Sequence, residues 1–173
     1  MSAALKYGLI AGASLCGWIL VGHSLDIQTT RHDLGAYGAA VASVIPLSAL
    51  FLLLKNRRAA SDSGLSLGWG VGAGLHASFV AALTVYGFLL LYNQFINPGW
   101  MDAALEWKVV QFRAQGMTEP AIRAEILSFR WMNSPRGLFL PTLAGMTVLG
   151  GLCSLVLTLL LRRVPRDRIP GSD

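Results

Sequence analysis

Four apolar runs, each long enough to cross a bilayer, constrain the fold of this chain more than any other feature. They cover residues 5–22, 37–54, 67–92 and 138–161. A hydrocarbon core about 30 Å thick needs roughly 20 residues of α-helix, because each residue rises about 1.5 Å. Within lipid every backbone amide needs an internal hydrogen bond, which a helix supplies. The sequence therefore predicts an all-α integral membrane protein with four transmembrane helices.

The composition supports this fold class and limits the partners. Only 13% of the 173 residues are charged, whereas a soluble domain carries about 25%. The net charge of +5 does not indicate a nucleic-acid partner, because much of the basic charge lies beside the ends of the apolar runs. We expect the lipid bilayer as a partner and no nucleic acid. The first run is expected to be retained, because no Ala-x-Ala cleavage pattern occurs near Gly22.

The charges beside the runs predict an orientation. Both termini and the 55–66 loop share one side, which holds 8 basic and 3 acidic residues. The opposite side holds the 23–34 loop and the 93–137 segment, with 6 basic and 6 acidic residues. The positive-inside rule therefore predicts both termini in the cytoplasm and the 93–137 segment outside it.

Glycines recur four residues apart in the predicted spans, a spacing that lets two helices approach closely in lipid. The candidates for helix packing are Gly8, Gly12, Gly68, Gly72, Gly74 and Gly145. Close packing inside one bundle and a homodimer interface are both consistent with this pattern.

A weak internal repeat relates the two halves of the chain. Residues 5–16 align with 65–76 at an offset of 60, with five of twelve positions identical. The second and fourth runs align at an offset of 107. A true duplication would be a parallel repeat of two helical hairpins, which occurs in transporters.

The hydrophilic 93–137 segment predicts two amphipathic helices. The first runs from about Trp100 to Gln115, with apolar residues at helical spacing on one face. Gly116 suits a left-handed turn, and Thr118 suits the N-cap of a second helix that ends near Met132. Glu119 is expected to pair with Arg123, one turn along this helix.

This hairpin is the candidate docking or interfacial surface. Tryptophans suit the headgroup level of a bilayer, and apolar stripes suit a partner or the other helix of the hairpin. The candidate residues are Trp100, Trp107, Phe112, Ile122, Ile126, Phe129 and Trp131. A cap over the end of the bundle and a docking surface for another protein are the two interpretations.

Little in the sequence points to chemistry. His76 lies inside the third span and is the candidate polar intramembrane site. Cys16 and Cys153 lie in spans and are predicted to be small apolar residues rather than a disulfide. No metal-ligand spacing, nucleophile–base pair or phosphate loop is present. We expect no catalytic residue, cofactor or metal, and no enzymatic activity.

Several short motifs resemble a bacterial four-span membrane protein family, the domain of unknown function 4199 family. The matching residues are Tyr7-Gly8, Lys55-Asn-Arg57-Arg58, Ser66-Leu-Gly68-Trp-Gly70, Asn97-Pro98, Gly116-Met-Thr118-Glu119 and Ser134-Pro135. The resemblance covers nearly the whole chain and implies a retained protein of the bacterial inner membrane. It implies no activity and no site residue.

Two functional hypotheses follow from the sequence. The first is an accessory or interaction subunit, in which the bundle anchors the chain and the extracytoplasmic hairpin docks on a membrane-protein partner. The alternative is a small homo-oligomeric transporter or channel built from the parallel repeat. The absence of charged residues from the span centres weighs against an ion-coupled transporter.

Overall fold

The computed structural model describes residues 1–25, 35–61 and 64–163. The described residues form helices and contain no strand. The helices are α1 Ala3–Ser24, α2 Gly35–Ala59, α3 Leu67–Leu91, α4 Trp100–Ala114, α5 Glu119–Met132, α6 Pro135–Leu140 and α7 Met146–Arg163. The 26–34 loop and the 164–173 tail, which enter the charge count above, lie outside the described residues together with residues 62–63.

Four helical segments are long and apolar enough to cross a membrane. They are Ala3–Ser24, Tyr37–Ala59, Leu67–Ile96 and Pro135–Arg163. The predicted all-α fold with four membrane-spanning helices is thereby confirmed.

Two span boundaries differ from the expectation. The third span continues through a π-helical turn, Tyr92–Ile96, so the hydrophilic segment begins later than residue 93. The fourth begins at Pro135, because the Ser134 hydroxyl accepts a hydrogen bond from the Gly137 amide and caps α6. A second π-helical turn at Pro141–Gly145 joins α6 to α7. It accommodates the proline within a continuous span.

The spans form a four-helix bundle in the order α1, α3, α7, α2 around its axis. The most extensive contacts join α3 to α1 and α3 to α7, whereas α2 makes less contact with α1 and α7. In α2, buried side chains begin at Ala49, and no residue from Tyr37 to Ser48 is buried. The C-terminal half of α2 therefore belongs to the core, and its N-terminal half stands away from it.

Close approach of backbones holds α3 against both neighbours. A Cβ added at Gly8 would lie 2.5 Å from the Ala77 carbonyl oxygen, and one at Gly12 would lie 2.6 Å from the Thr84 Cβ. On the other side of α3, a Cβ at Gly74 would overlap Ser154 of α7. Such distances leave no room for a side chain, so these glycines permit the contact.

The other glycine candidates do not contact a neighbouring helix. A Cβ at Gly68, Gly72 or Gly145 would meet no atom within 4 Å. The glycines that do face α7 are Gly70 and Gly74, because residues two apart on a helix point to opposite sides. Assigning helix packing within the chain to Gly68, Gly72 and Gly145 therefore needs correction.

A buried hydroxyl reinforces the α3–α7 contact. The Ser154 hydroxyl donates a hydrogen bond of 2.7 Å to the Gly70 carbonyl oxygen, and Ser154 is fully buried. The bond crosses between helices where no water competes for the carbonyl. Cys16 and Cys153 are free thiols, both partly buried.

Candidate functional site

The hydrophilic segment folds into a helical hairpin of α4 and α5. Gly116 adopts a φ of +76°, the left-handed conformation that ends α4 and favours glycine. Thr118 then has extended backbone at the N-cap of α5, with Pro120 in the first turn. The structure thus places the turn and both helices where the sequence pattern predicts them.

Apolar and cationic contacts close the hairpin on its inner side. Leu105 of α4 and Ile122 of α5 are buried there. The ammonium group of Lys108 lies 4.7 Å from the ring centre of Phe129 and 5.8 Å from that of Phe112. A cation over an aromatic face is stabilised by the quadrupole of the ring. These residues hold α4 against α5.

An ion pair spans the turn of the hairpin. The Arg113 Nε donates to Glu119 Oε1 at 3.0 Å. Glu119 therefore pairs across the turn with α4 rather than with Arg123, and the predicted pair along α5 needs correction. Both side chains are well exposed, so this pair adds about 0–1 kcal/mol to stability.

The outer face of α5 carries large apolar side chains that contact little of the described chain. Leu127 and Trp131 are one turn apart, and each is 68% exposed. Val110 of α4 is similarly exposed. Leu127 and Val110 were not among the docking residues predicted from the sequence. Both lie on the helix faces opposite the apolar stripes that close the hairpin.

The docking residues predicted from the sequence differ in their exposure. Ile122 is 2% exposed inside the hairpin, so it is unavailable to a partner. The prediction that Ile122 is a docking residue therefore needs correction. Phe112, Ile126 and Phe129 are half-buried beside it. Trp107 and Trp131 are exposed.

A recess separates α4 from the end of α3. Its volume is about 330 Å³, and Tyr92, Trp100, Trp107 and Lys108 are among the residues that line it. Trp100 is half-buried there. This recess lies where the hairpin adjoins the bundle.

The ends of α1 and α3 are joined by a polar cluster. The Asn97 side-chain amide donates to the Tyr92 hydroxyl at 3.1 Å and lies 3.4 Å from His23 Nδ1. His23 also meets the Tyr92 ring edge-on, with 5.7 Å between ring centres. His23 at the end of α1 thus contacts two residues that follow α3.

His76 lies on the outer surface of the bundle. Its side chain is exposed, and it lines neither the recess nor the cavity inside the bundle. The neighbouring positions Ala77 and Ser78 face the interior instead. The structure therefore does not bring His76 together with another candidate site residue.

Comparison with known proteins gives one match. The family model of a protein of unknown function, DUF4199, matches residues 6–163. The chain belongs to this family. Searches of the curated proteins and of the solved structures gave no match.

The motifs that resemble the DUF4199 family lie at helix ends. At the end where α1 begins, Asn56 and Tyr7 are hydrogen-bonded at 2.5 Å between the amide nitrogen and the hydroxyl. The Arg57 guanidinium stacks over the Trp69 ring at 5.1 Å. Ser66 caps α3 through a hydrogen bond from the Trp69 amide. In this member of the family, these motif residues fix how the helices start, stop and join.

Proposed function

We propose that the chain is an accessory subunit of a bacterial inner-membrane assembly, with both termini in the cytoplasm. The four-helix bundle anchors it, and the α4–α5 hairpin docks on an extracytoplasmic segment of another membrane protein. The exposure of Leu127 and Trp131 on the outer face of α5 carries this proposal. Tryptophan is enriched among the residues that dominate binding at protein interfaces, and an exposed apolar patch around it marks an interaction site.

The residues on the inner face of the hairpin show that its outer apolar residues are not required for folding. Ile122 of α5 and Leu105 of α4 are already buried, and Lys108 of α4 contacts Phe129 of α5. The outer apolar residues are therefore not needed for the fold of the hairpin, and contact with a partner would remove them from water.

The charge of the hairpin favours a protein over the lipid surface as its partner. Between residues 100 and 132 there are 4 basic and 4 acidic residues. Helices that lie on anionic membranes carry an excess of lysine and arginine on their polar face. A charge-balanced rim around an aromatic anchor is more typical of a protein–protein interface.

The transporter alternative has less support. His76 faces outward, and the cavity inside the bundle is lined mainly by apolar side chains. Moreover, α1 and α3 adjoin along one side of the bundle. A parallel twofold repeat about the bundle axis would place them at opposite corners.

Photo-crosslinking tests the docking surface. A crosslinking amino acid at Leu127 should capture one membrane protein that co-purifies stoichiometrically in mild detergent, whereas one at the adjacent Ser128 should capture far less. Replacing both Leu127 and Trp131 by serine should reduce co-purification at least 30-fold, as expected for loss of an interface anchor worth about 2 kcal/mol. Crosslinks to lipid alone, or undiminished co-purification, would reject the proposal.

A reporter fusion tests the orientation separately. A periplasm-dependent enzyme inserted after Met117, at the turn of the hairpin, should be active, and the same enzyme fused at Ala60 should be inactive. This expectation follows from the excess of basic residues beside Lys55 and Arg162. The reverse pattern of activity would place the hairpin in the cytoplasm.

A further inference from the structure

A cavity of about 490 Å³ lies inside the bundle, between the N-terminal half of α2 and the other three spans. We call it the α2 wedge. Leu15, Trp18, Ala42, Pro46, Ala81 and Met146 are among its lining residues. It exists because α2 contributes buried side chains only from Ala49 onward. Its volume falls within the range of about 300–1,000 Å³ that is usual for ligand pockets.

The lining of the α2 wedge offers hydrocarbon surface and little else. No charged residue and no histidine lines it. The Trp18 indole donates to the Gly38 carbonyl oxygen at 3.0 Å, and the Ser43 hydroxyl donates to that of Ala39 at 2.9 Å. The Tyr7 hydroxyl accepts a hydrogen bond from the Asn56 side-chain amide. These three polar groups already have partners within the chain, and the other polar groups of the lining are the buried Ser78 hydroxyl and the Cys153 thiol. The lining therefore favours an apolar ligand.

The dimensions of the α2 wedge match one lipid chain. Its lining runs from Tyr7 to Ile19 along α1 and from Ala42 to Leu50 along α2. At roughly 1.5 Å per residue these distances are about 18 Å and about 12 Å. One leaflet of the hydrocarbon core is about 15 Å thick. The length of the α2 wedge is therefore comparable to that of an acyl chain lying parallel to the helices.

The α2 wedge is open at its side. Leu47 of α2 and Leu149 of α7 line it and are 40% and 63% exposed, whereas Ala77 and Ala81 on its floor are buried. The exposed pair borders the opening, at the depth where bilayer hydrocarbon surrounds the bundle. Apolar cavities exclude water and bind apolar molecules.

We propose that one acyl chain of a bilayer phospholipid occupies the α2 wedge between α2 and the floor formed by α1 and α3. The acyl chain would supply the dispersion contacts that α2 does not make with its neighbouring helices. This site is independent of the proposed docking by the hairpin.

The test uses the full chain in phosphatidylcholine vesicles that contain a phospholipid with a photoreactive diazirine halfway along one acyl chain. Mass spectrometry then locates the labelled residues. We expect label on Ala77 and Ala81, which face the wedge, in addition to Phe79 and Leu83, which face outward. Label on the outward residues alone would overturn the proposal, because ordinary lipid contact explains it.

A matched pair of variants sharpens the test. Ala42→Phe places a ring in the α2 wedge, whereas Ala40→Phe adds the same ring at an exposed position of the same helix that does not line the cavity. Ala42→Phe should lower labelling of Ala77 and Ala81 at least fivefold, and Ala40→Phe should leave it unchanged. Equal labelling in the two variants would overturn the proposal, as would labelling by a diazirine fatty acid but not by the phospholipid.

Discussion

Gly74→Val should lower the free energy of unfolding by about 3 kcal/mol, at the upper end of the usual cost of overpacking. A Cβ at this position would overlap both the Cβ and the hydroxyl of Ser154. Rotation of the Ser154 side chain moves the hydroxyl but leaves the Cβ in place, so α3 and α7 must separate. Their separation would also lengthen the hydrogen bond between Ser154 and Gly70.

The melting temperature in mild detergent measures this loss. For a chain of this size, about 3 kcal/mol corresponds to a fall of about 6–12 °C. Gly72→Val is the matched control, because it lies on the same helix and a Cβ there meets no atom within 4 Å. It should change the melting temperature by less than a third as much. Equal destabilisation by the two substitutions would contradict the described α3–α7 contact.

Gly137→Ala should disrupt the junction between the hairpin and the fourth span. The added Cβ would overlap the Trp131 carbonyl oxygen and lie 2.8 Å from that of Met132. Both are backbone atoms, which no side-chain rotation can move away. Overpacking and partial loss of the Ser134 cap together should cost about 2–4 kcal/mol.

Limited proteolysis and hydrogen exchange locate that effect. Cleavage near Asn133 and exchange in α5 should both rise in Gly137→Ala, while exchange within α1 and α3 stays as in the original chain. Gly145→Ala serves as the control, because a Cβ there has open space around it. An unchanged exchange rate in α5 of Gly137→Ala would show that the junction is looser than described.

The sequence predicts the elements of this fold well because their signals are local. The length of each apolar run identifies the four transmembrane spans. Gly116 and Thr118 locate the turn of the hairpin within a residue, because a left-handed residue and an N-cap have few substitutes. The start of the fourth span was predicted three residues too late, at residue 138, because the Ser134 cap lies before the apolar run.

The faces that the helices present were not predictable in the same way. Gly68 and Gly72 show the same spacing of four as Gly70 and Gly74, yet only the second pair faces α7. The rotation of α3 about its axis is set by packing with α1 and α7, which no local pattern reveals. For the same reason the sequence alone did not show that the His76 side chain faces outward.

The central position of α3 has a consequence for the order of assembly. One side of α3 can receive α1 as soon as both helices are in the bilayer, because no later segment is needed for the contact at Gly8. The other side waits for α7, which is synthesised only after the hairpin. During biosynthesis, Gly70 and Gly74 therefore lack their neighbouring helix α7 until the hairpin and the fourth span have been synthesised.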